Sequence, residues 1–114
     1  MKTKITLELE VKMGNPGLVG TGFVGRLPDG TTYKELVRVF GKPQQGLSAD
    51  GKIQAEWTGS INGLAFTIYD YKAETCPKAN RDWHIGGRTQ VVADLVTAYF
   101  MQAARLGRKI IRRG

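Results

Sequence analysis

The sequence predicts an α+β fold in which an antiparallel sheet packs with one short helix and one long C-terminal helix. Three observations carry that reading: period-2 alternation near the N-terminus, an Asn-Gly turn between two β-rich runs, and helical spacing of apolar residues near the C-terminus. The order strand, strand, helix, hairpin, helix lacks the regular strand–helix alternation that builds a parallel sheet. At 114 residues the chain has the length of one domain. It is read as a single unit 1–114, with an N-terminal strand or hairpin over 1–27 and helix, hairpin, Gly-rich turn and long helix over 31–113.

In Lys2–Met13 the residues Ile5, Leu7, Leu9, Val11 and Met13 fall on one face, as in a half-buried strand. Glycines break regular structure after it, and Phe23–Leu27 returns as a short strand that would pair with the first as a hairpin. Thr32 and Glu35 form a capping box ahead of a helix over Tyr33–Phe40, with Gly41 and Pro43 beyond its end. Gly46–Gly51 is turn-rich. Lys52–Thr58 alternates as a strand, and Asn62-Gly63 turns the chain into Leu64–Lys72, giving an antiparallel hairpin. Ala73–Asp82 reads as a loop that delivers Trp83-His84-Ile85-Gly86-Gly87-Arg88. Thr89 then caps a helix carrying Val91, Val92, Leu95, Val96, Tyr99, Phe100 and Ala103, which either stops at Gly107 or runs on through Arg113. Those apolar positions span more than one stripe, a pattern that predicts packing on a second subunit.

Composition narrows the function. No apolar stretch reaches the roughly 18 residues that span a bilayer, and Met1–Ile5 lacks the apolar run of a secretory signal, so a cytoplasmic protein with no membrane partner is expected. One cysteine, Cys76, and one histidine, His84, supply no zinc set and no nucleophile–base pair with a third orienting group; no catalytic residue, metal or cofactor is expected. Asp70 and Asp82 each sit beside an aromatic residue at an element end, where a capping role is usual for aspartate. The net charge of +7 draws phosphate-bearing partners, and five of the seventeen basic residues crowd the last ten positions.

Two segments are candidate ligand sites. In Trp83-His84-Ile85-Gly86-Gly87-Arg88-Thr89, adjacent glycines before a helix would let the backbone approach an anion, and Arg88 and Thr89 would add donors. The alternative is a tight turn with Trp83 as core filler. In the basic tail, Arg105 and Lys109 share a face at spacing four, as do Arg108 and Arg112, which suits phosphate or a stacked base; the alternative is a solvated tail. Trp57, Tyr69, Tyr71 and Trp83 are candidate base-stacking rings that also suit a core. Nothing in the segment matches a Walker A loop or a dinucleotide fingerprint.

One pattern within residues 31–96 goes further. Tyr33-Lys34-Glu35-Leu36 leads to Phe40-Gly41-Lys42-Pro43, followed by Asp50-Gly51-Lys52, Ala55-Glu56-Trp57, Thr67-Ile68-Tyr69-Asp70-Tyr71-Lys72 and Trp83-His84-Ile85-Gly86-Gly87. It resembles small bacteriophage early proteins, and among them the first Thoeris anti-defence family, sponges that sequester cyclic ADP-ribose signals made by bacterial TIR-domain defence proteins. The resemblance implies a homo-oligomer, dimer or hexamer, whose pockets combine one subunit with the C-terminal helix of its neighbour. It implies capture of cyclic ADP-ribose isomers, with cyclic oligonucleotides bound by some members at a separate site. On this sequence the family's paired arginines fall on Arg108 and Arg112, its threonine on Thr89 and its stacking aromatic on Trp83, although Gly107 precedes those arginines and Lys2–Met13 lies outside the pattern. The other classes that fit the charge are a nucleic-acid-binding phage protein, for which no recognition signature is present, and an inhibitor of a host protein.

Overall fold

The computed structural model describes residues 9–45, 53–71 and 76–113, the stretch 105–113 as helical backbone only. The strands are β1 (Val11–Met13), β2 (Gly22–Arg26), β3 (Gln44–Gln45), β4 (Ala55–Ile61), β5 (Leu64–Tyr69) and β6 (His84–Gly87); the helices are α1 (Tyr33–Phe40) and α2 (Gln90–Arg113), with a 3₁₀ turn at Pro77–Ala79. All pairings are antiparallel, in the order β1-β4-β5-β6-β2, and β3 also pairs with β4. Both helices lie on one face of the sheet, which confirms the α+β class.

The capping box forms as expected: the Glu35 amide donates to Thr32 Oγ1 at 3.1 Å, and the Thr32 amide donates to Glu35 Oε1 at 2.9 Å. Gly41, at φ 88°, then ends α1. Asn62 at φ 49° and Gly63 at φ 81° make the two-residue turn that joins β4 to β5, with Ile61 opposite Leu64. This is the left-handed pair of a type I′ hairpin, whose twist matches that of the strands.

Three expectations change. The first strand is seen over Val11–Met13, residues 2–8 lying outside the described ones, and it does not form a hairpin with β2. β1 pairs with β4 at one edge, whereas β2 pairs with β6 at the other. Four strand spacings separate them, about 19 Å at ~4.8 Å each. The eight residues Gly14–Thr21 reach about 26 Å when extended, enough to cross. The strand expected over Lys52–Thr58 begins at Ala55 and runs on to Ile61, and the second arm ends at Tyr69. Most consequential, His84–Gly87 is neither loop nor turn but a strand between β5 and β2, buried at every position.

The core fills the space between sheet and helices. Trp57, Phe66, Ile68, Trp83, Ile85, Leu36, Val92 and Val96 are at most 1% exposed. Each large aromatic ring buries roughly 150–250 Å², on the order of 4–6 kcal/mol at about 25 cal/mol per Å² as an upper bound. The wide apolar arc of α2 serves two neighbours within the chain. Val92 and Val96 face the sheet, while the Tyr99 and Phe100 rings lie 5.8 and 6.4 Å from Phe40 of α1. Among the described residues of α2, Val91 and Met101 are the large apolar side chains left exposed. The helix runs through Gly107 to Arg113, so the glycine does not interrupt it. No helix among the described residues is long and apolar enough to cross a membrane.

Candidate functional site

The adjacent glycines of β6 point to opposite faces of the sheet, because successive strand positions alternate. Gly87 faces α2: a Cβ there would lie 2.8 Å from Val92 Cβ, so its bareness lets the helix sit down on the sheet. Gly86 faces the far side, where a Cβ would run into Thr67 Oγ1 and come within 3.5 Å of Tyr69 Cε1. Both glycines are accounted for by close packing in a strand, not by a loop open to an anion. Trp83 is fully buried, its indole donating to the Thr31 carbonyl at 3.0 Å and its ring standing edge-on to Trp57 at 5.4 Å. It is core, and its face is not available for stacking on a ligand. Arg88 is exposed and donates from Nε to the Val19 carbonyl at 2.9 Å and from Nη2 to the Gly17 carbonyl at 3.2 Å. It ties down the crossing segment. Thr89 stands just ahead of α2, its carbonyl accepting from the Val92 amide at 3.1 Å. The side chains of Arg105, Arg108, Lys109 and Arg112 lie outside the described residues.

On the far face, strand register lays chemically active side chains in a row: Glu56, Tyr69, His84 and Arg26, one from each of β4, β5, β6 and β2. Tyr69 stacks on His84 at 5.5 Å, and Phe23 and Tyr71 stand edge-on to the same imidazole at 5.3 and 5.9 Å. Burial lowers the His84 pKa first; Asp82 pulls it back up, Arg26 lowers it, and Asp70 raises it. His84 Nδ1 has no hydrogen-bond partner among the described residues. Arg26 pairs with Asp82 at 3.4 Å and lies 5.5 Å over the Phe23 ring. Burial pushes the Glu56 carboxyl up, and both burial and the neighbouring Glu56 push the Tyr69 phenol up. The crossing segment passes over this face, leaving a pocket of about 240 Å³ lined by residues that include Leu18, Thr21, Glu56, Thr67, Tyr69, Tyr71 and Gly86.

The second site is on the outer side of α1. Two overlapping cavities of about 520 and 390 Å³ share Tyr33, Val37 and Lys78; Lys42 and Pro43 complete the first and Lys34 the second. Their size falls in the ~300–1,000 Å³ range of small-molecule sites. The two tryptophans build this groove from below. Trp83 binds the carbonyl of Thr31 ahead of α1, and Trp57 Nε1 donates to the Gly41 carbonyl behind it at 2.7 Å, so both ends of the helix are pinned. The Tyr33 ring leans on both indoles, at 5.9 and 6.4 Å. Three exposed lysines line these overlapping cavities from three places: Lys34 on α1, Lys42 beyond its end, and Lys78 in the 3₁₀ turn. The ion pair formed among the described residues is Arg26–Asp82, and it involves none of them.

No protein family, curated protein or solved structure matches this chain. Function is therefore read from the groove itself.

Sequence reasoning placed the site on β6 and the tail and missed Lys34, Lys42, Lys78 and Tyr33. These residues are scattered over 46 positions and meet only because α1 packs against the 3₁₀ turn. Tyr33, Lys34 and Lys42 fall within the pattern that carries the family resemblance, but nothing in it or in their spacing brings them together with Lys78. Asp70 has the capping role expected of it: Oδ1 accepts from the amides of Gln54 and Ala55 at 2.8 and 3.0 Å. Cys76 is exposed at the start of the 3₁₀ turn, and no cluster of metal-ligating side chains occurs among the described residues.

Proposed function

We propose that this chain is a binding protein that captures a phosphate-bearing nucleotide in the groove on α1 and holds it without cleaving it. One observation carries the reading: Lys34, Lys42 and Lys78 line two overlapping cavities of nucleotide size that also take Tyr33, Val37 and Pro43 as lining. Ammonium groups on flexible stems suit phosphate oxygens as point charges, and a tyrosine beside aliphatic carbon suits a base or ribose. Sequestration asks for nothing more than tight, stoichiometric binding. Following the family resemblance, the ligands to try first are cyclic nucleotide signals: cyclic ADP-ribose isomers, then cyclic oligonucleotides. A homo-oligomer, dimer or hexamer, belongs to the same proposal, with helix α2 running past its packed part to Arg113 as the element available for a neighbour. Light scattering at micromolar concentration tests that assembly, and a clean monomer removes it.

The test of binding is thermal shift followed by mass spectrometry of ligand released on heating. Ligand at a hundredfold excess over Kd adds about 2.7 kcal/mol, or roughly 10 °C for a chain of this size. We expect cyclic ADP-ribose isomers to raise the melting temperature and to be recovered intact. Recovery of a cleaved product makes the protein an enzyme. Binding confined to DNA or RNA, weakening steeply with salt, makes it a nucleic-acid-binding protein.

A further inference from the structure

The far-face pocket has the opposite character to the lysine groove. Its lining holds one formal charge, the Glu56 carboxylate, and no lysine or arginine among the described residues. We infer that this pocket binds a small organic cation, an alkylguanidinium or alkylammonium group, with Glu56 as counter-ion and the Tyr69 and Tyr71 rings as walls.

Four features lead there. Glu56 forms no ion pair among the described residues, the ion pair found there being Arg26–Asp82. A carboxylate partly withdrawn from water without a cation regains most from a charge-assisted N–H donor. Tyrosine faces attract cations through their quadrupole, more strongly in a desolvated pocket than at the surface. The plane of Tyr69 is fixed by its stack on His84, only 23° from parallel. Gly86 lets Thr67 Oγ1 pack flat against β6 beside Tyr69, and the strap along one side of the pocket is held by Thr58 Oγ1 donating to the Gly14 carbonyl at 2.8 Å and by the two Arg88 bonds. At about 240 Å³ the space suits one guanidinium with its stem. A phosphate-bearing ligand would meet a charge of its own sign, so this site does not duplicate the groove on α1 and goes beyond the function proposed for it.

The same chemistry arrives as a free amine or as an arginine side chain of a peptide, and two probes separate them. Amide NMR of the full chain is titrated with agmatine and with a capped arginine dipeptide. Saturable shifts at Thr21, Gly22, Thr67 and Gly86 with agmatine assign a free amine; shifts with the dipeptide alone assign a protein side chain, and either supports the site. Glu56→Gln should keep the fold, visible in its own spectrum, and weaken binding about tenfold or more, whereas K34A/K42A/K78A should leave it unchanged. The inference is overturned if neither cation gives saturable shifts there, if E56Q binds as well as the parent, or if neutral adenosine saturates the pocket while the cations do not.

Discussion

The two faces of β6 show how one sheet hosts two surfaces of opposite chemistry. Toward the helices, Gly87 disappears beneath Val92, and the tryptophans on that side hold α1 so that three lysines gather on its outer flank. Toward the other side, Gly86 makes room for the Thr67 hydroxyl beside Tyr69, and the neighbouring pocket is bordered by a strap and charged by a carboxylate. Neighbouring glycines thus serve opposite faces in the same way: one is bare so that a helix packs on the sheet, the other so that the Thr67 hydroxyl of the next strand does. Electrostatic sign follows from which residues each face recruits, not from the chain's net charge of +7.

The contrast breaks most severely at Trp83. If it is the pin of α1 and not a stacking ring for a ligand, Trp83→Ala costs about 3–5 kcal/mol of stability, and calorimetric melting shows the loss with no ligand present. A variant that melts like the parent would return Trp83 to the binding surface. Next in size, Gly87→Ala forces a methyl into Val92 and is expected to cost about 1–3 kcal/mol, read from urea unfolding. The lysine groove should survive it wherever the protein is folded.

These two predictions mark where the sequence was readable. Helix α1 was legible to the residue, because Thr32, Glu35 and Gly41 act through local bonds that depend on nothing distant. The Asn62-Gly63 hairpin was legible for the same reason. Strand β6 was not: His84-Ile85-Gly86-Gly87 has two residues depleted in strands, and only its neighbours β5 and β2 make it one. The pairing of β1 with β4 was equally hidden, since it depends on a crossing segment without local signature. A contiguous basic tail reads as a ligand site, whereas Lys34, Lys42 and Lys78, distant in sequence, do not read as a set.

A smaller effect concerns the strap. Arg88→Ala removes two exposed hydrogen bonds worth about 0.5–1 kcal/mol together, and hydrogen exchange should quicken around Gly17–Val19 while the sheet stays protected. Unchanged exchange there would deny Arg88 its clamping role.

Smallest, and of opposite sign for two members of one row, are the effects of pH. The Glu56 pKa is raised by burial above its ordinary 4.5, so ionising it in the folded chain costs stability as pH rises through that window. Glu56→Gln should therefore raise the melting temperature at pH 7 and leave it nearly unchanged at pH 4. The His84 pKa is lowered from 6.5, chiefly by burial, so below about that pH the unfolded chain takes up a proton before the folded one and stability falls. His84→Gln should flatten that fall in melts between pH 5 and 7; an unaltered slope would place the proton elsewhere.

Capture of a phosphate-bearing ligand rests on the three lysines of the groove on α1. Each contact is partly open to solvent and is discounted to about 1 kcal/mol, so together they govern affinity by about 100-fold. Isothermal titration of the parent, of K34A/K42A/K78A and of E56Q with cyclic ADP-ribose isomers, cyclic oligonucleotides and inorganic pyrophosphate tests it directly. The prediction is saturable binding in the parent and in E56Q and about 100-fold weaker binding in the triple variant at unchanged melting temperature; equal affinity in the triple variant, or no binding of any of these phosphates to the parent, contradicts it.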